Sequence, residues 1–226
     1  VVDRPKLLVE LKSNEKITNS DKKIIEEIVC LLLNLKFDLN TFYVGMKDDE
    51  VMFELTQRLR GLKSPTTPTV FEALMDSIIE QQISLNVAHS LETKVVRSFG
   101  NILKIGNECY FAFPTPLSMA SATLQQLRKC GLSSKKAEYI KNVSTLVAEG
   151  KLDLEKFKQY EDTNEILDEL DGIRGIGVWT AELTMVRGMQ KLDAIPADDL
   201  GVRRCISHYY CNDRRISCEE ARKIAE

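Results

Sequence analysis

The chain has 226 residues, 43% hydrophobic and 29% charged, with a formal net charge of −3. This composition excludes disorder, collagen-like repeats and coiled coil, and the length suffices to bury a core without disulfide or metal staples. The apolar run Ile28 to Leu33 falls far short of the about twenty residues that a bilayer span needs, so no membrane helix is expected.

The chain opens on Val1 without a basic-then-apolar leader; this reads as a fragment or processed chain with no mark of secretion. Leu7 to Lys12 alternates apolar and polar from Val9, the pattern of a short strand or edge strand. From Asn19 the period becomes helical, with Ile24, Ile25, Ile28, Val29, Leu31, Leu32 and Leu35 in phase behind Ser20 or Asp21 as N-cap. Lys36 to Phe42 reads as a loop, and Val51 to Leu59 as a helix ended near Gly61. Ser64-Pro65-Thr66-Thr67-Pro68 cannot continue a helix and is the clearest linker. Beyond it Thr69–Gln82, Leu85–Phe99 (closed by Gly100), Ser118–Ala120, Thr123–Cys130, Ser134–Glu149, Leu154–Gln159, Thr163–Leu170, Val178–Met189, Leu200–Tyr209 and Cys218–Glu226 read as helices, with a turn at Pro114 to Pro116. Many short helices broken by Gly or Pro predict an all-α fold of orthogonal packing.

Cys30, Cys109, Cys130, Cys205, Cys211 and Cys218 contain no CxxC pair, so scattered reduced thiols are expected rather than a disulfide frame or metal cluster. His89 and His208 have no second ligand near them in sequence and read as structural or surface residues. Neither half of the chain is basic as a whole, but Arg128, Lys129, Lys135, Lys136 and Lys141 stand against Glu138 alone. Such a run is either a solvated face or a local anion contact.

The most informative window runs from Leu170 to Arg204. Gly172, Gly175 and Gly177 lie between two helical patterns, where glycine permits positive φ and frees N–H groups at a helix start. The turn is an anion cradle in outline; with no preceding strand it is not a dinucleotide fingerprint. The run G-I-G-V-W-T-A, from Gly175 to Ala181, and the loop Ile195-Pro196-Ala197-Asp198-Asp199-Leu200 together resemble the helix–hairpin–helix (HhH-GPD) DNA glycosylases. With F-E-A-L-M-D-S-I-I-E-Q-Q-I-S at Phe71–Ser84 and G-L-S-S-K-K-A-E-Y-I at Gly131–Ile140, the chain resembles the AlkA-like 3-methyladenine DNA glycosylase branch over about residues 60 to 226.

The resemblance implies an orthogonal multi-helical fold in which 19–226 form two helical subdomains with the active-site cleft between them. Residues 1–18 would be a remnant of the family's N-terminal β-containing domain. Backbone N–H groups at Gly172, Gly175, Gly177 and Thr180 would hold one DNA phosphate, and Gly131, Ser133, Lys135 and Lys136 a second. Carbonyls of Asp171, Ile173 and Gly175 or Ile176 would hold a structural Na⁺ or K⁺ when DNA is bound; no catalytic cofactor is implied. Asp199 would be the catalytic carboxylate that stabilises an oxocarbenium-like charge and orients water, with Asp198 as helix cap or, failing Asp199, as the catalytic group.

Trp179 stands where strand-cutting relatives carry a Lys nucleophile, which implies a monofunctional enzyme that uses water. Its aromatic face would border the base pocket with Leu183, which replaces a tyrosine of some relatives. Gln82 and Ile83 match the loop that plugs the minor groove after base flipping; packing of Ile83 on Ile79 is the plainer alternative. The implied function is hydrolysis of alkylated purines from damaged double-stranded DNA, by a monomer, in the bacterial nucleoid or the eukaryotic nucleus. The alternatives are an oxidised-base glycosylase and a non-catalytic DNA-binding module.

Overall fold

The computed structural model describes residues 6–225. It is helical throughout apart from one hairpin. The helices are α1 (Asn19–Leu32), α2 (Leu39–Gly45), α3 (Glu50–Arg58), α4 (Val70–Glu80), α5 (Leu85–Phe99), α6 (Pro116–Ser121), α7 (Leu124–Lys129), α8 (Ser134–Ala148), α9 (Thr163–Asp171), α10 (Val178–Thr184), α11 (Leu200–Tyr210) and α12 (Cys218–Ala225). A 3₁₀ turn occupies Glu155–Gln159, and α10 runs on into a π-helical turn at Met185–Met189.

Four expectations are corrected. Leu7 to Lys12 forms no strand, because alternation without a partner strand leaves the ladder unmade; the first five residues of the expected N-terminal remnant lie outside the described ones. The α1 N-cap is Thr18, in a capping box with Asp21 at N3, rather than Ser20 or Asp21. The expected loop 36–42 contains the start of α2, held by Asp38 accepting from the Asn40 amide. The stretch between Gly100 and Pro114, left without an element, is an antiparallel hairpin of β1 (Ile102–Ile105) and β2 (Glu108–Phe111) around Gly106-Asn107.

The main core draws on α4 through the π turn, with Leu74, Met75, Ile78, Ile140, Phe157, Ile166, Leu170 and Met185 all at 2% exposure or less. Neither α1, α2 nor α3 contributes to it; Thr66 in the linker fastens α1 by bonding the Leu31 and Leu32 carbonyls. A second, small cluster of Ala197, Ile216 and Ala221 unites the α10–α11 loop with α12. Trp179 of α10 and Asp199 of the α10–α11 loop meet between the two clusters. Among the described residues no helix is long and apolar enough to cross a membrane.

Candidate active site

The hairpin between α9 and α10 is shaped at one glycine. Gly175 has φ +97°, and a β-carbon there would collide with the Tyr139 ring of α8 at 2.2 Å. Gly172 caps α9 with ordinary φ −63°, and Gly177 is extended with nothing within 4 Å of a would-be β-carbon. Only Gly175 is therefore required by the fold. Gly177 is the N-cap of α10 and supplies no side-chain hydrogen bond, so the first amides of that helix have no internal acceptor from a cap.

Along α10, Thr180, Ala181, Glu182 and Thr184 are buried, while Trp179 and Leu183, one turn apart, are only half-buried. They lie on one face of the helix. Opposite them the chain turns tightly, with the Ala197 amide on the Ile195 carbonyl at 2.6 Å and the Asp199 amide on the Pro196 carbonyl at 2.9 Å. This places Asp199 as the N-cap of α11. Its Oδ1 accepts from the Gly201 and Val202 amides at 2.7 and 3.0 Å, and its Oδ2 accepts from Trp179 Nε1 at 3.3 Å. The cap is thus Asp199 and not Asp198, which corrects the expectation of Asp198 as the helix cap. Asp198 points elsewhere and accepts from the Cys218 thiol at 2.8 Å.

The α4–α5 loop holds Gln82 exposed in a left-handed conformation, φ +55°, and Ile83 half-buried against the main core. Its neighbour Gln81 ties the loop to the hairpin: Nε2 donates to the Gly175 carbonyl at 2.9 Å and to Thr180 Oγ1 at 3.0 Å. Thr180, at 2% exposure, therefore turns its side chain inward, so the phosphate contact expected of it rests on its backbone amide. The Lys136 side chain also turns inward: its ammonium donates to the Ile79 carbonyl of α4 at 2.7 Å, and burial lowers its pKa. Lys141 similarly caps α6 through the Ala120 and Ala122 carbonyls. Of the basic run, Arg128, Lys129 and Lys135 face solvent. Gly131 has φ +100°, and Ser133 caps α8 by accepting from the Lys136 amide at 3.3 Å.

The hairpin carbonyls are hard, neutral oxygen donors of the kind that suit a monovalent cation. Ile173 already accepts from the Ile176 amide and Gly175 from Gln81, so each keeps one lone pair for an ion. His89 and His208 are exposed beside Glu92 and Asp213, and the six cysteines form no disulfide.

Sequence reasoning missed Gln81, Tyr139, Glu182, Gly201 and Cys218. Gly201 had a visible signal, a glycine inside the first turn of a helix, where it costs stability without a reason. The reason is space: a β-carbon there would come within 2.9 Å of Asp199 Oδ1. The other four are ordinary residue types whose partners lie 20 to 99 positions away, or 36 for the Gly175–Tyr139 approach, and have no local signal.

A helical fold with an aromatic–carboxylate pair beside a glycine hairpin matches one family. The model of the HhH-GPD superfamily of base-excision DNA repair proteins matches residues 75–226, and the chain belongs to that superfamily. Within it the chain falls in the AlkA-like 3-methyladenine glycosylase branch. It is 30% identical over 230 residues to the DNA-3-methyladenine glycosylase of Bacillus subtilis, spanning all of this chain and 74% of that protein. The Saccharomyces cerevisiae DNA-3-methyladenine glycosylase is 29% identical over 75% of this chain, which spans 57% of the yeast protein. Among solved structures, the Archaeoglobus fulgidus 3-methyladenine DNA glycosylase superposes with TM-score 0.83 at 33% identity, over 93% of this chain and 70% of that one.

Proposed function

We propose that the protein is a monofunctional DNA glycosylase that hydrolyses the N-glycosidic bond of an alkylated purine flipped out of duplex DNA. It initiates base-excision repair wherever that DNA lies, in nucleoid or nucleus, as a monomer without a catalytic cofactor. One observation carries the reading: Trp179 and Asp199, twenty residues apart, meet across the boundary of the two core clusters with an N–H to carboxylate contact of 3.3 Å. That boundary also supports a division into two helical subdomains within 19–226, with the cleft between them. Residues 1–18 stay assigned to a remnant of a β-containing domain, in keeping with apolar Leu7, Leu8 and Val9 at 56, 94 and 45% exposure.

The chemistry follows from charge. As the C1′–N bond breaks, its electron pair goes to the base and neutralises the alkylated ring, while positive charge develops on the sugar. Asp199 is held with its negative charge fixed by two amides and the indole N–H, an arrangement that needs no reorganisation to stabilise that cation. Water then forms the C1′–O bond and loses its proton, with the same carboxylate positioned to orient it. The exposed face of Trp179 with Leu183 offers a stacking wall for a cationic purine. No lysine stands at position 179, so the reaction has no Schiff-base route to strand cleavage. Phosphates would be held by the α10 amides behind Gly177 and by the turn at Gly131, Ser133 and Lys135. A monovalent cation on the Asp171, Ile173 and Gly175 or Ile176 carbonyls would add positive charge beside the first phosphate. Gln82 and Ile83 serve as the minor-groove plug, supported by the exposed, left-handed Gln82 at the loop tip.

Duplexes carrying a panel of lesions test the reading: base release from alkylated purines is expected, with strand breaks only after alkali. Breaks without alkali would point to a lyase. Asp199→Asn keeps the size and can still cap α11, so folding and DNA affinity should persist. Single-turnover release should fall by about two to three decades, the loss of roughly 3–4 kcal/mol of electrostatic stabilisation. A variant within a few-fold of wild type removes Asp199 from the role, and a dead Asp198→Asn would transfer it there.

A further inference from the structure

Behind Asp199 stands a helix that this mechanism leaves unused. α12 reaches the site at two points one helical turn apart on the same face. Cys218 Sγ lies 2.8 Å from Asp198 Oδ1. Arg222 Nη1 lies 2.6 Å from Glu182 Oε1, and Glu182 sits on α10 three residues beyond Trp179 with its side chain 4% exposed. Glu182 Oε2 is buried without a hydrogen-bond partner, so the carboxylate depends on Arg222. Between the two contacts, Ala221 shares the small buried cluster with Ala197, the residue before Asp198. α12 is thereby joined to both members of the Trp179–Asp199 pair, through Glu182 on one side and through Ala197 and Asp198 on the other.

Two adjacent aspartates at one helix N-terminus compete for the same amides, and the charge of one disturbs the other. Here Asp198 is drawn off to α12, and its hydrogen bond raises the thiol pKa so that the S–H stays available as donor. We propose that Cys218 and Arg222 are positioning residues for base excision: α12 parks Asp198 away from the α11 N-terminus and braces α10, so that Asp199 alone takes the amides and the indole. The inference rests on the reading of Asp199 as the catalytic carboxylate.

The test uses the full chain on a lesion duplex, with DNA affinity and single-turnover release measured separately. Cys218→Ala should lower the release rate about tenfold at unchanged affinity, as expected for a small misplacement of the reacting group. Cys218→Ser keeps an O–H donor and should recover to within two- or threefold. In an Asp198→Asn background, where the competing charge is gone, Cys218→Ala should have little further effect. Amide hydrogen exchange at Gly201 and Val202 reads the same device without chemistry, and should quicken in Cys218→Ala but not in Cys218→Ser. Wild-type release and exchange in Cys218→Ala would overturn the proposal. So would an equal loss in Cys218→Ser, or full additivity with Asp198→Asn, since both point to packing instead. A wild-type chain that releases no base, yet shows quickened exchange in Cys218→Ala, would sink the functional reading and leave the clamp standing.

Discussion

The turns at 131–136 and 172–177 look alike in sequence, since each places glycine before a helix and each is expected to hold a phosphate. Their helix starts differ. At the first, Ser133 closes α8 on itself by accepting from the Lys136 amide, and the Lys136 side chain turns back to the Ile79 carbonyl. At the second, Gly177 caps α10 with no side chain at all. Among the helices with described caps, only α5 behind Ser84 and α10 behind Gly177 lack a side-chain cap, and Gln81 links the loops that precede them. A helix start that satisfies itself is complete as structure, whereas a bare one keeps donors for an acceptor from outside. Charge density in the sequence singles out the first turn; local geometry singles out the second.

Exchanging the two designs tests the contrast most strongly. Gly177 has φ −105° and ψ 176°, the extended geometry of an ordinary N-cap, and open space around its Cα. Gly177→Asp should therefore fold, cap α10 and stabilise the protein by about 0.5–1 kcal/mol. The same carboxylate would occupy the phosphate position, and duplex affinity should fall about a hundredfold through like-charge opposition. Ser133→Ala removes the cap but keeps the backbone amides of that turn, costing about 1 kcal/mol of stability with affinity changed less than twofold. Thermal melts and equilibrium duplex binding on the same samples decide it. Unchanged affinity in Gly177→Asp would remove the α10 start from the interface.

How much of this was legible in the sequence depends on the range of the cause. Helical periodicity, linker prolines and polar caps act within a few residues, and they placed most helices to within a turn. α2 is a seven-residue helix with no buried side chain, so periodicity had nothing to register. The β1–β2 hairpin carried a turn signal in Gly106-Asn107, but its strands are mostly exposed and lack a clean apolar face. At the site, Asp199, Trp179 and the glycine turn came from motif order. That Asp199 rather than Asp198 caps α11 did not, because the partner that engages Asp198 is Cys218, twenty residues on. The partner of Lys136 is hidden for the same reason: its charge is local, and its acceptor lies 57 residues back.

Asp76 extends the contrast between satisfied and bare groups to the core, where no ligand can complete the set. It lies on α4 with Oδ1 buried and without a partner. Burial, then the charges of Glu92, Glu72 and Glu80, push its carboxyl up to about 8, with partial relief from Arg187. Glu72 is pushed up to about 7, first by burial and then by Glu92. An acid raised in the fold favours folding while it is protonated. That contribution is full below the ordinary value of 3.8 and is lost as pH rises toward about 8. Asp76→Asn is neutral at every pH, so its Tm at pH 8 should exceed wild type by roughly 5 °C, with the gap narrowing at pH 5. A gap equal at both pH values would trace to packing rather than ionisation.

The smallest effect separates two neighbouring lysines that carry the same formal charge. Lys135 is exposed on α8, while Lys136 is half-buried with its ammonium on the Ile79 carbonyl. Counterion release counts only cations that reach phosphate. Lys135→Met should reduce the slope of log affinity against log salt by about 1, a few-fold loss at moderate salt, and leave stability alone. Lys136→Met removes an identical charge yet should leave the slope unchanged. Its cost should instead fall on folding, about 1 kcal/mol, because the Ile79 carbonyl loses its donor at a residue only 1% exposed. A reduced slope in Lys136→Met would mean that the ammonium leaves Ile79 when DNA arrives and joins Lys135 at the phosphate.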